Sequence, residues 1–78
     1  MKITIYTNPK CSYSKKALTF FKRRKLPFEE KTLFKEEINR LEIIELTGQL
    51  TTPTIRINDE IIIGFQEDKF KELIKKNN

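Results

Sequence analysis

One cysteine, no histidine, no tryptophan, two glycines and three prolines occur among the 78 residues of this chain. Each shortage removes a class of function. A lone cysteine forbids an intrachain disulfide. Without histidine there is neither a mixed Cys/His zinc site nor an imidazole general base. No apolar run is long enough to span a bilayer, and the start, Met1-Lys2-Ile3-Thr4-Ile5-Tyr6, lacks the apolar core of a signal peptide. The expectation is a cytoplasmic protein in a reducing compartment, without membrane contact. The length fits one small domain over residues 1–78, and with 37% of residues apolar every periodic apolar position counts towards its core.

Sixteen basic residues against eleven acidic ones give a net charge of +5. The densest run is Lys22-Arg23-Arg24-Lys25, with Lys15 and Lys16 one or two turns earlier. Such a run attracts phosphates or acidic protein surfaces. It also suits a solvated helix face and the C-terminal end of a helix, where cations complement the dipole. The aromatic–basic interleaving of nucleic-acid binders is missing, so no nucleic-acid partner is expected.

Alternation of Met1, Ile3 and Ile5 with Lys2, Thr4 and Tyr6 predicts a strand over Met1–Tyr6. Asn8-Pro9-Lys10 makes a turn. Residues 12–25 read as a helix with Ala17, Leu18 and Phe21 on its apolar stripe, ended by Pro27. Phe28 to Thr32 reads as a second strand. A second amphipathic helix is expected over 35–47, its apolar face made by Phe34, Ile38, Leu41 and Ile44 at spacings of three and four. Gly48 suits its end. Thr54–Ile57 and Glu60–Ile63 flank Asn58-Asp59, which predicts a tight hairpin. Glu67 and Asp68 then open a last helix that buries Phe70, Leu73 and Ile74 and closes on Lys75-Lys76, both ends matching the dipole. The order β-α-β-α-β-β-α implies an α/β fold, a four-stranded mixed sheet flanked by three helices.

Cys11 falls where the first strand turns into the first helix. A thiol at a helix N-terminus meets unpaired backbone N–H groups and the positive end of the dipole, and both favour the nucleophilic thiolate. That edge of the sheet, at the C-terminal end of a parallel strand, is also the usual functional edge of such folds.

With this element order and Cys11-Ser12-Tyr13-Ser14 at the first helix, the chain resembles the glutaredoxin branch of the thioredoxin fold along essentially its whole length. Three features carry the resemblance. Cys11-Ser12-Tyr13-Ser14 stands in place of the family's Cys-Pro-Tyr-Cys. Thr52-Pro53 stands before a strand in place of its cis-proline. Gly64-Phe65-Gln66-Glu67-Asp68 lies near its Gly-Gly-x-x-Asp segment. Phe65 departs from the second glycine of glutathione-binding members. Gly64-Phe65 looks more like the small glutaredoxin-like electron donors served by thioredoxin reductase. Thr47-Gly48-Gln49 is similar to small bacterial glutaredoxin-like proteins.

The resemblance implies a thiol–disulfide oxidoreductase with a Cys11 nucleophile acting on protein disulfides or glutathione mixed disulfides. Ser14 stands where dithiol members carry the resolving cysteine. Two readings of it remain: a natively monothiol protein that needs an external thiol, or a serine replacing a resolving cysteine. Ser14 can hydrogen-bond the sulfur or cap a backbone N–H. Pro53 would be cis and would present the Thr52 backbone beside Cys11 for strand-like pairing with a ligand. Lys10 and Lys15 would add positive potential at the thiol, and Tyr13 would flank it. Gly64 would admit a ligand backbone, with Phe65 beside it. Glu67 and Asp68 would meet a ligand ammonium, and Gln49 a glycyl carboxylate. Expected partners are glutathione or thioredoxin reductase as electron source and disulfide-containing proteins as substrates. A monomer is expected, with glutathione as co-substrate and no obligatory cofactor or metal. The alternative implied by a Cys-x-x-Ser frame is a monothiol carrier of a [2Fe–2S] cluster held by Cys11 and glutathione from two subunits.

Overall fold

A computed structural model describes residues 1–77. Four strands and three helices alternate as β1 (Ile3–Thr7), α1 (Ser12–Arg23), β2 (Glu29–Thr32), α2 (Glu37–Thr47), β3 (Thr54–Ile57), β4 (Glu60–Ile63) and α3 (Glu67–Lys76). The sheet order is β2-β1-β3-β4. β1 and β2 run parallel, while β3 is antiparallel to both β1 and β4. This is the expected element order, in the arrangement of the thioredoxin fold.

The period of two along each strand divides the sheet into unlike faces. Ile3 and Ile5 of β1, Ile55 and Ile57 of β3 and Ile62 of β4 point to one side. There they pack with Ala17, Phe20 and Phe21 of α1 and with Phe70 and Leu73 of α3. Six of these side chains, Ile5, Ala17, Phe21, Ile55, Ile57 and Phe70, have no exposed surface, and each of the isoleucines and phenylalanines contributes about 1.5–3 kcal/mol through burial. Phe20, Phe21 and Phe70 form an aromatic triangle with centroid separations of 5.1–5.5 Å, two of its three contacts edge-on.

The opposite face carries Thr4, Tyr6, Lys31 and Arg56 and is covered by α2. A smaller apolar cluster of Tyr6, Leu33 and Ile43, with Leu46 against it, joins the two. The polar ends of this face are satisfied from α2. Tyr6 Oη donates to Glu42 Oε1 at 2.6 Å, and Lys31 Nζ reaches the same oxygen at 2.5 Å. Hydrogen bonds from Lys31 and Tyr6 hold the Glu42 carboxyl below its usual range, while burial and then the Glu42 contact push the Tyr6 phenol up.

Several expectations are corrected here. The row Phe34, Ile38, Leu41 and Ile44 does not face the sheet: these side chains are 45–63% exposed. The sheet face beneath α2 is too polar to receive an aliphatic row, so the helix turns Asn39, Glu42, Ile43 and Leu46 inward instead. Asn39 is buried, and its amide donates to Thr32 O at 3.0 Å. Tyr6 belongs with the core, and every residue of β1 is buried. α1 stops at Arg23, before Pro27 acts, because Lys25 takes a left-handed conformation (φ 55°) and the Lys25 and Leu26 amides turn back to Lys22 O and Phe21 O. β1 runs over residues 3–7, β2 begins at Glu29, and α2 begins at Glu37 after an extended Glu36. Gly48 ends α2 at φ 76°, its amide donating to Ile44 O at 2.7 Å. The hairpin keeps its expected strand bounds, with Ile57 opposite Glu60.

Candidate active site

β1, the turn after it and α1 place Cys11. Cys11 N donates to Asn8 O at 2.9 Å, Lys10 N to Asn8 Oδ1 at 3.0 Å, and Asn8 N to Ser14 Oγ at 3.2 Å. Asn8 therefore clamps the turn from three directions, a role legible only as turn chemistry in Asn8-Pro9. Cys11 is the N-cap of α1, extended at φ −96° and ψ 116°. No side chain caps the helix, and its first turn holds no acidic residue. The amides and positive dipole end are thus left to the sulfur.

The thiol is half-buried. Burial is the largest influence on it and raises its pKa. The amide and hydroxyl of Ser14, the Thr52 hydroxyl and the Tyr13 amide outweigh burial, and the Cys11 pKa lies below that of an ordinary cysteine. The lysines expected to do this are not among the leading influences. The protonated thiol has its own acceptor, Thr52 O at 3.5 Å, which works against ionisation. The amide and hydroxyl donors are more numerous and carry the direction.

Ionisation of Cys11 favours folding above the free-thiol value of about 8.5, and that contribution disappears as pH falls through the lower folded value. The rate of Cys11 alkylation by iodoacetamide is expected to rise with a midpoint below about 8.5. A midpoint at or above the free-thiol value would remove the argument that these donors activate the sulfur.

Across from the sulfur, the Thr52–Pro53 bond is cis, as the resemblance implies. Pro53 is buried, and its carbonyl accepts the Gly64 amide at 2.7 Å, tying the proline loop to the end of β4. Gly64 has φ 89°, a conformation that favours glycine, and open space where a Cβ would stand. Ser14 is buried beneath Cys11. Tyr13 is exposed, with its ring 6.4 Å from that of Phe65 and Lys16 Nζ 4.9 Å above it. Phe65 also packs edge-on against Phe70 at 5.5 Å.

Four of the expected residues stand further out in their contacts. Gln49 lies in the exposed loop after α2, where Thr51 Oγ1 donates to its Oε1 at 3.0 Å. Glu67 faces Lys71 at 3.9 Å. Asp68 does not cap α3: the N-cap is Gln66, whose side-chain amide instead donates to Ile63 O at 2.7 Å. Lys10 is exposed on the other flank, sharing a cleft with Asn8, Pro9 and Phe34.

A groove of about 580 Å³ runs along α1 to Phe65, lined by Lys15, Lys16, Phe20, Arg23 and Arg24 among others. It joins α1 to a residue forty or more positions later, so neither segment announces it alone. No helix among the described residues is long and apolar enough to cross a membrane. Nor do three or more His, Cys, Asp or Glu side chains among them gather as a metal site would require.

Comparison with known proteins places this geometry. The chain matches the glutaredoxin family over residues 3–62. It is 31% identical over 74 residues to an uncharacterised glutaredoxin-like 8.6 kDa protein of the rubredoxin operon of Clostridium pasteurianum, covering 95% of this chain and 99% of that one. The solved thioredoxin-like protein BC3987 superposes with a TM-score of 0.86 at 30% identity, over 91% of this chain and 97% of that one. The glutaredoxin-like NrdH-redoxin of Escherichia coli, described as having a thioredoxin-like activity profile, gives 0.80 at 25% identity over 94% and 95% of the two chains.

Proposed function

Because the chain belongs to the glutaredoxin family, we propose that it is a thiol–disulfide oxidoreductase working in monothiol form through Cys11. The observation that carries this reading is the half-buried sulfur at an uncapped helix N-terminus, facing the cis Thr52–Pro53 loop, with its pKa held down. In the first step the Cys11 thiolate attacks one sulfur of a substrate disulfide. A bond forms between Cys11 Sγ and that sulfur, the substrate S–S bond breaks, and the second sulfur leaves as a thiolate. Ser14 has no sulfur with which to resolve the product. An external thiolate therefore attacks Cys11 Sγ or the substrate sulfur, and a further external thiol completes the two-electron reduction.

Thr52 and Pro53 form the wall along which a substrate backbone or glutathione would lie. Tyr13 and Phe65 form an apolar rim, with Gly64, Glu67 and Asp68 beyond it and Lys10 and Gln49 on the opposite flank. Glutathione or a thioredoxin reductase system would supply the electrons, and the cytoplasm is the compartment that suits such a thiol. The cluster-carrier alternative needs four ligands. One Cys11 thiolate from each of two chains and two glutathione thiolates would supply them, and no observation favours that reading over exchange.

The decisive experiment is steady-state reduction of a small glutathione mixed disulfide, with glutathione as the only electron source. We expect turnover that scales with glutathione and stalls at about one adduct per protein when external thiol is withheld. Failure of Cys11 to form any adduct would overturn the reading. A stable adduct that excess glutathione does not release would move the reductant to a thioredoxin reductase system.

A further inference from the structure

Four cationic side chains converge on the groove along α1: Lys15, Lys16, Arg23 and Arg24. Its floor is aromatic, built from Phe20 and Phe65. The Arg24 guanidinium lies 4.3 Å over the Phe20 ring, and Lys16 lies over Tyr13, which in turn neighbours Phe65. Among the described residues none of the four cations forms an ion pair. The only acidic side chain on the wall, Glu67, faces Lys71. A concave surface with four unpaired cations over apolar rings is complementary to an anionic ligand that also carries apolar surface.

The groove ends towards the thiol side of α1, where its wall residue Phe65 stands 6.4 Å from the ring of Tyr13. Tyr13 stands two residues after Cys11, and Phe65 follows Gly64, whose amide holds the proline loop. At a rise of about 1.5 Å per residue, the cations of α1 lie from about 6 Å (Lys15) to about 18 Å (Arg23) along the helix axis from Cys11. An extended peptide covers that distance in about five or six residues at about 3.3 Å each. Resting on the oxidoreductase reading above, we propose that this groove seats an acidic, apolar-anchored segment of the protein substrate, its acidic residues lying up to about six positions from the cysteine that Cys11 attacks. The Cys11 site is then selective for disulfides in acidic polypeptide, and the Phe20–Phe65 floor receives one apolar side chain of that segment.

The test uses three disulfides, each carrying a chromophoric leaving thiol or being itself chromophoric. One is a ten-residue peptide with four Glu and one Leu within six residues of its Cys. The second has the same length and Leu, with Gln for Glu. The third is uncharged 2,2′-dithiodipyridine. At 20 mM salt the acidic peptide is expected to react with Cys11 about tenfold faster than the Gln peptide, as electrostatic steering allows. At about 0.5 M salt, where the Debye length falls to a few ångströms, the two rates should converge. In the double variant Arg23→Gln/Arg24→Gln the advantage should shrink to within about twofold, with the dithiodipyridine rate unchanged.

Equal rates for the two peptides in the unmodified protein would overturn the groove assignment while leaving exchange at Cys11 intact. An undiminished advantage in the double variant would do the same. Failure of Cys11 to react even with dithiodipyridine would instead overturn the oxidoreductase reading. Arginine-dependent binding of a single-stranded oligonucleotide, tighter than that of the acidic peptide at 0.15 M salt, would also refute the acidic-polypeptide assignment.

Discussion

Cys11→Ser is expected to reduce disulfide exchange to the rate of the uncatalysed reaction. A serine hydroxyl does not ionise at neutral pH, and exchange requires a thiolate to enter the S–S bond. The chain has no second cysteine to substitute. The loss is therefore complete, whatever the substrate. The measurement is turnover of a glutathione mixed disulfide, beside a mass-spectrometric search for the covalent adduct. Stability separates loss of chemistry from loss of fold. Cys11 is half-buried, and a serine hydroxyl at the same N-cap position can take the amide hydrogen bonds that the sulfur takes, so the substitution should change stability by no more than about 0.5 kcal/mol. For a domain of this size that moves Tm by less than about 4 °C. Residual exchange in a folded Cys11→Ser protein would show that another group does the chemistry.

The second large effect concerns the core. Phe21→Ala is expected to remove about 3–5 kcal/mol of stability. Phe21 has no exposed surface and touches three other rings, with centroids at 5.1 Å from Phe20, 5.4 Å from Phe70 and 6.4 Å from Phe28. Those rings belong to α1, α3 and the approach to β2, so truncation opens a cavity that no single element can close. Per-residue norms put the total stability of such a chain at about 4–12 kcal/mol. The variant thus loses a quarter or more of it, and Tm should fall by at least about 12 °C. Urea unfolding followed by circular dichroism gives the value. Ile38→Ala, on the exposed face of α2, serves as the contrast and should stay within about 0.5 kcal/mol. A loss below about 1 kcal/mol at Phe21 would mean that the three elements close around the gap.

The difference between those two positions shows what the sequence disclosed. Both sit in apolar rows at helical spacing, and periodicity treats them alike. What separates them is the sheet face each helix meets. Ile3, Ile5, Ile55 and Ile57 offer α1 and α3 an aliphatic floor, whereas Thr4, Tyr6, Lys31 and Arg56 offer α2 a polar one. The polar floor follows from strand alternation once the register is known. Register is a long-range property that no local pattern contains. The element order, the Asn58-Asp59 hairpin and the place of Cys11 were all legible, because each depends on neighbours a few residues away. The end of α1 was not: Pro27 is the visible breaker, but Lys25 turns the chain first. The groove along α1 was hidden for the same reason as the floor of α2. The run Lys22-Arg23-Arg24-Lys25 contributes two of its members, and only the packing of Phe65 against α1 shows which two.

The outward row of Phe34 and α2 governs how the protein behaves as a colloid. Phe34, Ile38, Leu41 and Ile44 stay in water on a molecule whose net charge is +5. Like charge keeps such molecules apart only within the reach of their field, about 10 Å at 0.1 M salt and about 3 Å at 1 M. The aliphatic row keeps its attraction as that reach shrinks, and salts excluded from protein surfaces strengthen it. Dispersal of this protein is therefore an electrostatic condition laid over a sticky surface: dilute buffer sustains it, and rising ionic strength withdraws it.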